Sequence, residues 1–187
     1  GTILLTHLHW DHTQGLPFFT AADRDDAAVR LLMPTVAAQD PLTLLGRAMS
    51  PPHFPIGPEQ LRGHWSFGSI GVGDHRIEGI RTRAAEVLHK GGPTLGYRLV
   101  DEQDSLAYLP DHVAAPHAGR AAAIDLVRGV DVLVHDAQFL EHEAETAHAY
   151  GHSTVDEAVE LALEAAVGEL VLFHHAPTRL DHEVHDA

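Results

Sequence analysis

An α/β protein with helices packed outside two sheets is the fold class that the sequence predicts, on three observations. Short β-like runs alternate with helical stretches along the chain, the pattern that lays helices over sheets. The length of 187 residues and the apolar fraction of 44% suit one globular domain, residues 1–187, with a core of its own. The apolar stretch Ile3-Leu4-Leu5 runs directly into Thr6-His7-Leu8-His9-Trp10-Asp11-His12, so a buried-type strand ends in a cluster of polar donors.

Thr2 to Thr6 read as the first strand. At its end alternate residues point to one side, so His7 and His9 can grip one ion while the turn that follows swings Asp11 and His12 onto a second. Neutral imidazole suits zinc, and carboxylate oxygen tolerates it. Histidine alone proves little in a chain with 17 of them; the spacing after a strand is what points to metal. Asp40-Pro41 reads as a helix start, with Asp40 as cap and Pro41 at the first helical position, followed by Leu42, Leu44, Leu45 and Met49. Ser50-Pro51-Pro52 ends it. The stretch through Pro58, with Phe54 and Ile56, is an irregular loop that either flanks the active site or packs on the surface. From Trp65 to Leu109 the runs Arg76 to Ile80, Leu95 to Val100 and Ser105 to Leu109 read as hairpin-linked strands of the second sheet. Gly119 to Arg128 is helical, Asp131 to Val134 a buried strand, Thr154 to Val167 the longest helix and Leu170 to Phe173 the closing strand. Thr154 and Glu157 fit a capping box, and Val155, Ala158, Val159, Ala162 and Ala166 form an apolar stripe at helical spacing. Surplus histidines such as His142, His148, His182 and His185 read as exposed.

The run from Thr6 to His12 resembles the signature of the metallo-β-lactamase superfamily, which implies an αββα sandwich and further metal ligands at later strand ends. Ala85-Glu86-Val87-Leu88-His89 resembles the third-histidine region, with Lys90 where the family usually has proline. Leu106-Ala107-Tyr108-Leu109-Pro110-Asp111 matches the segment of the metal-bridging aspartate, and Leu170-Val171-Leu172-Phe173-His174-His175 that of the last ligand, in the register of His174. The resemblance thus implies one metal on His7, His9 and His89, a second on Asp11, His12 and His174, and Asp111 with a hydroxide between them. Zinc is the expected metal, with manganese as the alternative. Cysteine is absent, whereas the best-known zinc β-lactamases use one at the second metal, so the pattern is closer to phosphodiesterases than to antibiotic hydrolases. The diiron oxygen-reductase branch usually carries Glu where this chain has His9.

A second pair of motifs, Val132-Leu133-Val134-His135-Asp136-Ala137-Gln138-Phe139 and Tyr150-Gly151-His152-Ser153-Thr154, resembles ribonuclease Z-like phosphodiesterases. A leaving alkoxide needs a proton, and a histidine held by a carboxylate can supply it at neutral pH. His152 is the candidate donor and Asp136 its orienting partner; with Asp11 they are the candidate catalytic residues. The plainer alternative is that Gly151 turns the chain and Ser153 or Thr154 caps the next helix.

The implied activity is hydrolysis of a small or cyclic phosphodiester by the metal-bridging hydroxide. The alternatives are tRNA 3′-end processing and hydrolysis of a carboxylic ester or lactone on the same metal core. A formal charge of −15 opposes broad contact with a nucleic-acid backbone. Two divalent ions would still outweigh Asp11, Asp111 and a hydroxide by one charge, enough to hold a single phosphodiester. No apolar segment is long enough to span a bilayer. The expected compartment is the cytoplasm, and a homo-oligomer is compatible with the sequence. Gly1 is no initiator, and proteins similar to this one place β-rich sequence before the metal motif. The sequence therefore reads as a fragment lacking part of its N-terminal sheet, with an exposed sheet edge and apolar patch expected in consequence.

Overall fold

The computed structural model describes residues 1–116 and 119–185. Both sheets expected from the sequence are present, one in each of two compact units, Gly1–Gly71 and Val72–Ala187.

In the first unit β1 (Thr2–Leu4), β2 (Ala28–Pro34) and β3 (His64–Ile70) form a parallel sheet in the order β1-β2-β3. Leu31, Leu32 and Met33 are consecutive and all buried. A central parallel strand is covered on both faces, so it carries no period-two alternation, and β2 does not announce itself in the sequence. The stretch around Trp65 belongs to this sheet and not to the second, because β3 pairs with β2 from Ala28↔His64 to Pro34↔Ile70. Between β1 and β2 lies α1 (Trp10–Thr13), and between β2 and β3 lies α2 (Pro41–Gly46). Asp40 caps α2 as expected, its side chain accepting a hydrogen bond from Thr43 N–H at 2.9 Å. Leu5, Leu16, Leu31, Met33, Leu45 and Met49 form the core, with Ile3, Phe54 and Trp65 packed against it.

The second unit is a six-stranded sheet in sequential order: β4 (Gly73–Ile77), β5 (Ile80–Glu86), β6 (Leu95–Val100), β7 (Ser105–Leu109), β8 (Val132–Asp136) and β9 (Glu169–Phe173). The first four are an antiparallel meander; β8 and β9 add in parallel. Arg76 to Ile80 is therefore not one strand. Glu78 (φ 50°) and Gly79 (φ 85°) make a two-residue turn there, and Ile77 pairs with Ile80 across it. Positive φ at both turn positions suits the right-handed twist of a hairpin, and the second falls on glycine.

The parallel additions need crossovers, supplied by α3 (Arg120–Val127) before β8 and by α4 (Ala144–Tyr150) with α5 (Val155–Glu164) before β9. A last short helix, α6, covers Asp181–His185. Thr154 and Glu157 close the expected capping box through Glu157 N–H to Thr154 Oγ1 (3.2 Å) and Thr154 N–H to Glu157 Oε2 (2.9 Å). The buried face of α5 differs from the expected stripe. Val155, Ala158, Leu161 and Ala162 face inward with Ala165 beyond them, while Val159 and Ala166 are exposed. Leu161 completes a stripe that steps by three and four residues from Ala158, which rotates Val159 outward. The core of this unit joins β5 through β8 to α3 and α5 through residues such as Leu109, Leu126, Leu133 and Leu161.

Among the described residues no helix is long and apolar enough to cross a membrane.

Candidate metal centre

Each unit gathers one cluster of candidate ligands. In the first, β1 stops at Leu4, although the Leu5 N–H still reaches Leu32 O at 2.9 Å. His7 and His9 consequently lie just beyond the strand, with His9 still extended, and their rings remain adjacent. The His7 and His9 ring centroids are 4.5 Å apart, and those of His7 and His12 4.4 Å. His9 is the extended N-cap of α1 (φ −62°, ψ 152°), and the helix it starts brings Asp11 Oδ2 to 3.5 Å from His12 Nε2. Thr6 Oγ1 lies 3.1 Å from His7 Nδ1, which makes Nε2 the candidate ligand atom of that ring.

In the second unit three donors come from three strand ends. Asp111 follows β7, His89 follows β5 by three residues, and His174 follows β9 directly. Each oxygen of Asp111 meets a different imidazole: Oδ2 lies 3.5 Å from His89 Nε2, and Oδ1 lies 3.7 Å from His174 Nε2. Ligand atoms bound tetrahedrally at 2.0–2.1 Å from zinc stand roughly 3.3 Å apart, so these separations fit atoms that share an ion better than direct hydrogen bonds. The donor set of carboxylate and imidazole also suits a divalent metal. Asp111, His152 and His174 form a grouping of metal-competent side chains with ligand atoms within 4.8 Å of one another; His175 joins none among the described residues. His174 adopts φ 60°, a left-handed conformation that costs a non-glycine residue about 1–2 kcal/mol. Here the cost is carried at a candidate ligand.

These rings are held from behind. His89 Nδ1–H donates to Gly151 O at 2.6 Å, which fixes the tautomer and leaves Nε2 toward Asp111. Gly151 has φ 87°, and a Cβ there would fall 2.6 Å from Lys90 N, so both backbone conformation and close approach require glycine. Lys90 adds a second tie, its Nζ donating to Ala149 O at 2.9 Å and lying 5.4 Å from the Tyr150 ring centroid.

Asp136 and His152 are brought together. His152 Nδ1–H donates to Asp136 Oδ2 at 2.7 Å, and the fully buried carboxylate also accepts from His112 N–H (3.1 Å, Oδ2) and Gln138 N–H (3.0 Å, Oδ1). The His152 ring stacks on His174, with centroids 5.1 Å apart and planes inclined by 12°. Thr154 caps α5, whereas Ser153 ties down the loop after Asp111: its Oγ accepts from Ala114 N–H at 2.9 Å and donates to His112 O at 2.5 Å.

Two histidines of this region were given no role by the sequence. His112 and His135 are fully buried and joined Nδ1 to Nε2 at 2.9 Å. His135 Nδ1 lies 2.8 Å from Asp136 O, which can only accept, so His135 donates there and takes its other hydrogen bond from His112. Burial lowers the His135 pKa and favours the neutral ring this arrangement needs. Their signal was adjacency, since each directly neighbours an aspartate of the cluster. His142, His148 and His182 are exposed as expected, although His148 pairs with Glu157 at 2.5 Å; the side chain of His185 lies outside the described residues.

Comparison with known proteins places these clusters in context. A family model described as a β-lactamase superfamily domain matches residues 1–175. Ribonuclease Z of Bradyrhizobium sp. is 30% identical, over 97% of this chain and 74% of that protein. Ribonuclease Z of Exiguobacterium sibiricum is 27% identical, over 98% and 73%. Among solved structures, human short-form tRNase Z superposes with a TM-score of 0.73 at 20% identity, covering 94% of this chain and 73% of that one. A diphosphatase of the PhnP family gives a TM-score of 0.65 at 21% identity, covering 98% and 63%.

Proposed function

The chain belongs to the β-lactamase superfamily, and we propose that within it the protein is a metal-dependent hydrolase of a small or cyclic phosphodiester, its two donor clusters serving one dinuclear centre. In this reading His7, His9 and His89 hold one divalent ion and Asp11, His12 and His174 the other, with Asp111 common to both. Zinc suits the imidazole-rich set, and manganese is the second choice. When bound, such ions would supply Lewis acidity to the phosphoryl group and lower the pKa of a bound water to near neutrality.

The chain's own residues supply the proton and its aim. The hydrogen bond from His152 to Asp136 is the observation that carries the phosphodiesterase reading. It holds Nδ1 and turns Nε2 into the atom that can protonate a departing alkoxide, the role the paired motifs imply. Asp136 stabilises the charged imidazole between taking up and giving its proton.

A second reading, tRNA 3′-end processing, is favoured by relatives named ribonuclease Z at 27% and 30% identity. The formal charge of −15 weighs against it, since RNA binding draws on cationic contacts to phosphate. Assaying the zinc-loaded protein against bis-p-nitrophenyl phosphate, a cyclic nucleotide, precursor tRNA and a lactone separates these readings. We expect turnover of the two small phosphodiesters, lost on chelation and regained with zinc. Turnover of the lactone alone would overturn the proposal, and selective cleavage of precursor tRNA would replace it with the second reading.

A further inference from the structure

The first unit contains a cavity of about 600 Å³, within the range of small-molecule sites, whose wall includes Trp10, Gln14, Phe18, Met49, His53 and Phe54. Trp10 and Phe18 are 68% and 70% exposed, a large apolar surface to leave in water beside a concavity. Phe18 and Phe54 meet edge to face with centroids 5.8 Å apart, so two aromatic planes are already set at its edge. The loop after α2, which the sequence left open between an active-site flank and surface packing, supplies His53 and Phe54 to this wall.

The cavity's position gives it meaning. Trp10 and Thr13, three residues apart on α1, line the cavity, while Asp11 and His12 between them belong to the ligand cluster. One short helix thus presents candidate ligands on one side and an apolar wall on the other. A phosphate cannot be the occupant, because an apolar wall does not repay desolvation of its charge. An uncharged planar substituent on that phosphate can be, and Gln14 and His53 offer polar contacts to a heteroatom-bearing ring edge.

We propose that the cavity bounded by Trp10, Phe18 and Phe54 is a subsite for a planar heteroaromatic group, of the size of a nucleobase, carried by the phosphodiester. This deepens the phosphodiesterase reading and rests on it for the chemistry, although binding to the cavity can be measured alone.

The test compares thymidine 5′-(p-nitrophenyl phosphate) with methyl p-nitrophenyl phosphate, which share leaving group and scissile bond. Stacking of one base corresponds to roughly 5- to 150-fold in affinity, so the zinc-loaded protein should favour the thymidine ester in kcat/KM by a factor in that range, chiefly through KM. Phe54→Ala should bring the ratio toward one. Ala48 also lines the cavity, and Ala48→Trp, which fills it without removing a packed side chain, should do the same and covers the case in which Phe54→Ala fails to fold. In parallel, thymidine 5′-monophosphate should change tryptophan emission saturably, and ribose 5-phosphate should not. Equal kcat/KM for the two esters, or equal emission responses to the two monophosphates, would overturn the subsite. If neither ester is cleaved while the emission response stays selective, the subsite stands and the phosphodiesterase reading fails.

Discussion

His7, His9, Asp11 and His12 come from one segment of six residues, whereas His89, Asp111 and His174 stand at three strand ends spread over most of the second unit. The first cluster depends mainly on its own local backbone: an extended His9, a four-residue helix, and Thr13 Oγ1 donating back to His9 O at 3.2 Å. The second depends on side chains and carbonyls distant in sequence, namely Gly151 behind His89, Asp136 behind His152 and Ser153 behind the loop after Asp111. A contiguous cluster can be assembled by a short segment. A dispersed one needs a completed sheet and a second layer of hydrogen bonds, so its failures should appear at positions that are not themselves ligands.

That contrast can be broken most forcefully at Asp111. Asp111→Ala removes the carboxylate that faces both His89 and His174, and two divalent ions at the roughly 3.5–4 Å separation of dinuclear sites would then repel without compensation. We expect activity at background and fewer than two metal equivalents by elemental analysis. Two full equivalents in that variant would contradict the shared role of Asp111.

The next effect concerns His152. His152→Ala should lower turnover of an alkyl phosphodiester by about 10²- to 10⁴-fold, the range of general acid catalysis, with metal content unchanged. For bis-p-nitrophenyl phosphate the loss should be much smaller, because nitrophenolate leaves without a proton. Equal losses on both substrates would return His152 to a binding or structural role.

Gly151→Ala sharpens the comparison at a residue that is no ligand. A left-handed non-glycine residue costs about 1–2 kcal/mol, and the Cβ would also crowd Lys90 N at 2.6 Å. A loss of about 2 kcal/mol lowers Tm by roughly 4–8 °C in a chain of this size. Calorimetry should find that fall together with weakened metal affinity, since the carbonyl orienting His89 moves. A variant with unchanged Tm would show that the second cluster does not depend on this support.

The smallest effect is a pH dependence at His135. Burial depresses its pKa in the folded state, so below the unfolded value near 6.5 the unfolded chain binds a proton that the folded chain refuses. Stability is therefore full above that value and falls as the pH drops toward the folded pKa, by at most about 1.4 kcal/mol per pH unit for one group. Thermal melts at pH 7.5 and 5.5 should show a lower Tm at the acid value, and His135→Gln should flatten the difference. An unchanged slope in that variant would assign the acid sensitivity elsewhere.

The same contrast explains what the sequence revealed. The α/β class, β6, β7, the capped starts of α2 and α5, and membership of the superfamily were legible because turn chemistry, caps and the spacing from His7 to His12 are local signals. The strand β2 escaped because a central parallel strand lacks alternation. β3 was assigned to the wrong sheet because a strand's partner is a long-range property that its own residues do not state. At the site, His152 and Asp136 were legible as motif residues. The His112–His135 pair was not, since a hydrogen bond between fully buried histidines from different strand ends leaves no periodicity to read.

Anomalous diffraction at the zinc edge from crystals of the zinc-loaded protein tests the central claim directly. The account predicts two peaks roughly 3.5–4 Å apart, one bound by His7, His9 and His89, the other by Asp11, His12 and His174, with Asp111 reaching both. A single peak, or two peaks each bound only by donors of one unit, would contradict it.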